Sequence, residues 1–344
     1  MLFVVFRCRM DYTYSIALLF VDFNMTLYLP QKPSLEEFIQ TFTPLAIIEQ
    51  LEDEMQERVN SITSALLGFS SHGTPVENLA HFLKADRDFL GVILALTNLS
   101  QEKFLRILSA ERFGRQDFGN EWGIHQVHRK LAQQENFAER IATMLLEGSD
   151  NPILAEHVAH FYLAQLNLQD DWEILLRSPQ IVERVVRRKL EGEYNDKKGE
   201  AVENIIKEKL DDIEAKYGVT HEKGQVQLVS KEVDHVIPSR NEPYVMIMTS
   251  YMETTSSMQT TRANEQSSMY QSIISDNIRY GTKRVLVNFV DGAGWLARRS
   301  DLRKLHAGCD DVINLKTLDR LEAIICKYVP EKYFTIKPRP QVEG

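Results

Sequence analysis

The chain has 344 residues, 43% hydrophobic and 26% charged, an ordinary globular composition with length enough for two domains and a real hydrophobic core. A formal net charge of −9 argues against a protein that coats nucleic acid nonspecifically, but not against a sequence-specific DNA enzyme, whose phosphate contacts come from local basic patches. Three scattered cysteines, Cys8, Cys309 and Cys326, form neither a zinc pattern nor a disulfide framework, and suit a reducing cytoplasm.

Residues 1–24 are apolar but interrupted by Arg7, Arg9, Asp11 and Asp22. The clean run Tyr14 to Val21 is too short to span a bilayer, and no small-residue cleavage site follows. We read this stretch as an extension outside the functional argument, with Met25 the natural start and no membrane partner. Residues 25–190 then read as a helical domain. "SLEEFIQTFTPLAIIEQLEDEMQERVNSITSALLGF" opens with an N-cap and early glutamates and keeps apolar residues at three-to-four spacing. "ENLAHFLKADRDFLGVILALTNL", "SQEKFLRILSAERF", "HQVHRKLAQQENFAERIATMLLEG" and "PILAEHVAHFYLAQLNL" continue it between Gly, Pro and Ser breaks.

Residues 191–344 change character and read as an α/β domain. A helix ends at Gly218, and "QVQLV", "EVDHVI" and, after "PSRNEP", "YVMIMTSY" predict strands. "TTRANEQSSMYQSIISDNIRYG" predicts a helix, "RVLVNFV" a buried strand and "DGAGW" a turn. A helix near 299–307, a short strand "DVINL" and a last helix "KTLDRLEAIICKYV" complete the order. The fold class expected is α/β: a helical N-terminal half plus a mixed β-sheet core flanked by helices.

"KEVDHVIPS" carries the candidate chemistry. Asp234-His235 resembles the opening of an HNH nuclease site, but that site needs a downstream Asn and a further metal ligand on a following helix. An apolar strand follows Pro238 instead, and the HNH reading fails. If 232–237 and 244–251 pair through "PSRNEP", partners sum to about 481, and Asp234 faces positions 247–248.

Residues 195–329 resemble the catalytic core of type II restriction endonucleases of the PD-(D/E)XK superfamily. The resemblance rests on "KKGEAVENII", "EVDHVIP", "YVMIMTSY", "TTSSMQTTRANEQSSMY", "RVLVNFVDGAGW" and "DLRKL" in that order. It implies a PD-(D/E)XK-like mixed sheet and Mg²⁺-dependent hydrolysis of phosphodiester bonds in double-stranded DNA, leaving 5′-phosphate ends. It also implies a homodimer, because two sites related by a two-fold axis are needed to cut both strands of a palindrome. The setting would be a restriction-modification system in the cytoplasm. Asp234 would bind the metal. Where the family expects Glu-X-Lys, the chain carries Met248-Thr249-Ser250, and a thioether is a poor partner for a hard ion. Ser250 would stand at the Lys position, and Glu203 or Glu253 would supply the missing acid. A degraded nuclease that binds DNA without cutting it is the alternative, and a helical scaffold with an unrelated α/β domain is a third.

Gln259, Thr260, Arg262 and Asn264 suit base-edge and phosphate contacts, or else simply form a capped helix start. Arg184, Arg187, Arg188, Lys189, Lys197 and Lys198 are candidates for a phosphate-contacting face, Lys197 and Lys198 opening the "KKGEAVENII" leading helix, although such runs also make ordinary solvated faces. His125/His128 and His157/His160 have i, i+3 spacing but lack partners at ligand spacing, so they read as surface or core histidines. "DGAGW" lacks the Lys of a phosphate loop.

Overall fold

The computed structural model describes residues 31–70, 73–169, 171–229 and 231–338; the segment 1–24 lies outside them. The architecture is mixed α/β, with fifteen α-helices and a five-stranded sheet among the described residues. No described helix is long and apolar enough to cross a membrane. The chain divides into two compact units, one of residues 45–207 and one made of 31–44 with 208–338.

In chain order the first helices are α1 (Leu35–Gln40), α2 (Glu49–Leu67), α3 (Pro75–Ala85) and α4 (Phe89–Leu96). They are followed by α5 (Gln101–Gly114), α6 (Ile124–Gln133), α7 (Glu135–Glu147), α8 (Pro152–His157), α9 (His160–Leu163) and α10 (Trp172–Leu175). The long α11 (Pro179–Tyr217) follows. Two stretches expected as continuous helix are broken. Pro44, which has no N–H to give, lies between α1 and α2. Between α3 and α4 the Asp86 carboxylate accepts the Asp88 N–H at 2.7 Å, a local bond that competes with the helical ladder.

The helical unit buries one apolar cluster, in which Phe82 stacks on Phe89 at 4.4 Å and meets Trp172 edge-on at 4.8 Å. Within it Glu111, 2% exposed, is flanked by Arg115 and by Arg140 at 2.9 Å. Val182, Val185, Val186 and Leu190, on the first turns of α11, belong to this same core. The expected boundary at 190/191 falls inside an uninterrupted 39-residue helix, as does the 207/208 division between the two units.

The sheet unit takes α1 with it, because Phe38 and Phe42 are buried in its core. Its strands are β1 (Glu222–Gln225), β2 (Glu232–Pro238), β3 (Pro243–Tyr251), β4 (Val285–Asp291) and β5 (Asp311–Ile313), neighbours in that order. The first three pair antiparallel, while β3–β4 and β4–β5 are parallel. The parallel joins are made through α12 (Met258–Tyr280), α13 (Ala293–Leu296) and α14 (Arg299–Ala307), and α15 (Arg320–Tyr328) follows β5. All seven residues of β4 are buried, as a central strand covered on both faces requires. One strand is displaced from expectation. "QVQLV" supplies only Gln225 to β1, after which Val229 N–H returns to Val226 C=O at 3.2 Å in a turn.

Candidate active site

The β2–β3 register pairs Val236 with Met246 and His235 with Ile247. One residue further on, Asp234 lies across from Met248, as the hairpin arithmetic expects. The ladder opens at this point. Asp234 Oδ2 accepts the Thr249 N–H at 2.7 Å, and Lys223 Nζ from β1 stands 3.9 Å from Oδ1. The side chain is 20% exposed, so the carboxylate is partly open to solvent.

Met248 packs against the apolar cluster that holds Val236, Met246 and Ala263. It behaves as a core residue and brings no hard donor. Ser250 is 1% exposed, and its Oγ accepts from Arg262 Nη1 at 3.0 Å. The position expected for a lysine thus holds a hydroxyl facing a guanidinium delivered by α12.

Glu253 follows the end of β3 and accepts the Tyr251 hydroxyl. The bend that carries it is pressed against "DGAGW". Gly292 has φ +101°, and a Cβ there would stand 2.3 Å from the Met252 carbonyl oxygen. A Cβ on Gly294 would meet Thr254 O at 2.3 Å, while Gly294 N–H donates to Met252 O at 2.8 Å. The two glycines let one backbone lie directly on another. Glu203 is a half-buried residue of α11, placed in the helical unit.

Among the described residues, one trio of His, Cys, Asp or Glu brings its ligand atoms within 4.8 Å of one another, and it is Asp211, Glu214 and His221. Asp234 and Glu253 belong to no such group. Mg²⁺ takes one or two carboxylates and completes its shell with waters and substrate phosphates. Asp234 fits as a single carboxylate of that kind, and the Met248 thioether does not fit.

The base-reading candidates lie in the first turns of α12, which begins at Met258 rather than at Thr260, where the sequence predicts its start. Gln259 is fully buried, its Oε1 accepting Ser256 N–H at 3.0 Å, so burial withholds it from a base edge. Thr260 Oγ1 donates to Asp301 Oδ2 at 2.9 Å and accepts from Arg298 Nη2 at 2.7 Å. Asn264 is exposed, its Oδ1 accepting from Lys304 Nζ at 3.1 Å. In the helical unit Lys198 is 4% exposed with Nζ on the Tyr194 hydroxyl, withdrawn from any phosphate, and Lys197 pairs with Glu54.

Residues 176–323 match the model of the DpnII restriction endonuclease family. The matched segment begins just ahead of α11, ends within α15 and covers less than half of the chain. It bears out the resemblance to type II restriction endonucleases over the sheet, its leading helix and the α12 crossover. No curated protein and no solved structure matches the chain.

Sequence reasoning missed two groups at this restriction-endonuclease-like core. Lys223 beside Asp234 carries no signal in the sequence, because the run "QVQLV" predicts β1 from Gln225, three residues after it begins. Asp291 closes β4 and accepts N–H bonds from Thr43 at 2.7 Å, Gly292 at 2.8 Å and Leu315 at 3.1 Å. Burial pushes its carboxyl above the usual aspartate range, against the lowering effect of those three bonds. It is a structural clamp that holds the end of β4 and the "DGAGW" turn. An acid after an apolar strand and before two glycines was its only signal in the sequence.

Proposed function

We propose that the chain is a type II site-specific deoxyribonuclease that hydrolyses phosphodiester bonds of double-stranded DNA and leaves 5′-phosphates. The observation that carries this reading is the placement of Asp234. It is a partly open carboxylate at the crossing of β2 and β3, in the helix–three-strand–helix–strand segment that matches a restriction endonuclease family. The expected ion is Mg²⁺, with Asp234 its protein carboxylate. Such an ion lowers the pKa of a bound water and offsets charge on the scissile phosphate. The Arg262 guanidinium, hydrogen-bonded to Ser250, supplies positive charge near the position a lysine would hold. Arg262, Thr260 and Asn264 are the residues of α12 that we assign to the DNA, and Lys197 is a phosphate contact from α11. The protein acts as a homodimer in the cytoplasm.

A second reading, a DNA-binding protein of the same fold that has lost its chemistry, is favoured by one observation: Met248 fills core space where an acid is needed. Incubation of supercoiled plasmid with protein and Mg²⁺ separates the two. Discrete fragments, lost in Asp234→Asn with a gel shift retained, support the enzyme. A sequence-specific gel shift without cutting supports the binder. Cleavage by Asp234→Asn at the wild-type rate would overturn the assigned site.

A further inference from the structure

We propose that Asp211, Glu214 and His221 form a binding site for a borderline divalent ion of the Zn²⁺ type, separate from the magnesium position assigned to Asp234. Asp211 and Glu214 lie three residues apart on the last turns of α11 and so share one face of the helix. The chain then reverses at Gly218, where φ is +70° and a Cβ would stand 1.8 Å from Thr335 Oγ1. That reversal brings His221, the residue before β1, back over the helix end.

His221 Nε2 is hydrogen-bonded to Asp211 Oδ1 at 2.8 Å and lies 3.7 Å from Glu214 Oε2, and the three ligand atoms all lie within 4.8 Å of one another. A tetrahedral ion with bonds of about 2.1 Å holds its ligand atoms about 3.4 Å apart, so these separations bracket the value required. The imidazole is 9% exposed, whereas the two carboxylates are 47% and 41% exposed. The nitrogen donor is therefore held in place by packing, and the oxygen donors face solvent, with room for a water as fourth ligand. One nitrogen with two carboxylates suits Zn²⁺ or Co²⁺ better than Mg²⁺, which prefers an all-oxygen shell.

The ring of His235 lies 6.3 Å from that of His221. His235 alternates with Asp234 along β2, so the trio lies toward the sheet face opposite the Asp234 side chain. An ion held there ties the last turns of α11 to the segment leading into the edge strand β1. It stabilises the leading edge of the sheet and takes no part in cutting DNA.

The test uses the untagged full chain, stripped with chelator and exchanged into metal-free buffer. Titration with Co²⁺ is expected to give the visible absorption of a tetrahedral cobalt centre, removed by Zn²⁺ but not by Mg²⁺, and Zn²⁺ is expected to raise the melting temperature. His221→Gln should abolish both. Glu214→Gln, at a more exposed position, should weaken binding by more than the ~10–100-fold that loss of an outer-shell partner costs. Its fold is checked by melting without metal. Variants that titrate like the wild type, or a wild type with neither the absorption nor the melting shift, would overturn the site. Neither readout involves DNA, so the result stands apart from the nuclease assignment.

Discussion

On the proposed nuclease reading, catalytic competence turns on Met248. It faces the Asp234 position across β2–β3, and its thioether lies half-buried against the core. Met248→Glu places a second hard donor at the crossing. We expect it to raise Mg²⁺-dependent cleavage on the order of tenfold, equivalent to ~1.4 kcal/mol of transition-state stabilisation. It should also cost about 1–2 kcal/mol of stability through lost apolar burial. Plasmid cleavage rates at matched protein concentration measure this, and an unchanged rate would count against a metal at Asp234. His306 offers a pH prediction. Burial is the main force lowering its pKa from 6.5, although the bond to Pro33 C=O opposes the shift. The unfolded chain then binds the proton that the folded chain refuses, so this contribution to stability is intact above 6.5 and declines as pH falls below it. Urea denaturation at pH 7.5 and 5.5 (about one unit either side of the ordinary histidine value) should show the loss, and His306→Gln should reduce it, the half-buried His128 accounting for a further share.

Among the elements, the two kinds of glycine make opposite predictions. Gly192 lies on the exposed face of α11, where a Cβ would meet nothing within 4 Å. Gly192→Ala should stabilise the protein by about 0.5–1 kcal/mol, because alanine loses less backbone entropy in a helix. Gly292, with its positive φ and the Met252 carbonyl 2.3 Å from where a Cβ would be, has no such freedom. Gly292→Ala should destabilise by roughly 2 kcal/mol or more through strain and clash. Paired melting curves test both variants, and a neutral Gly292→Ala would show that the close approach is dispensable.

For the molecule as a whole, the prediction concerns assembly. A palindromic duplex is cut on both strands by two copies of one site, which requires two-fold symmetry. Sedimentation of the DNA-bound protein should give two chains per duplex, and digestion should give linear product with little nicked intermediate. A monomer that only nicks would overturn the dimer. Binding should also weaken steeply with salt, because in a chain of net charge −9 the attraction comes from local lysines and arginines rather than the overall charge.

Periodicity and breakers made the order of elements legible: every strand from β2 onward, and α14 at residues 299–307, falls where apolar runs and glycine stops put it. The turn between β2 and β3 made the Asp234–Met248 juxtaposition legible too, because antiparallel register follows from loop length. Side-chain partners were not legible, since they depend on which distant elements pack together. Gln259 and Lys198 look like exposed polar residues in one dimension and are buried in three. Lys223 reaches Asp234 only because β1 begins earlier than its apolar neighbours suggest, and Arg262 reaches Ser250 only because α12 packs on the sheet core. Local sequence determined the elements and their order, through backbone preferences that act over a few residues. The electrostatics of the site were decided by tertiary packing, because charge interactions depend on distances that only the folded chain sets.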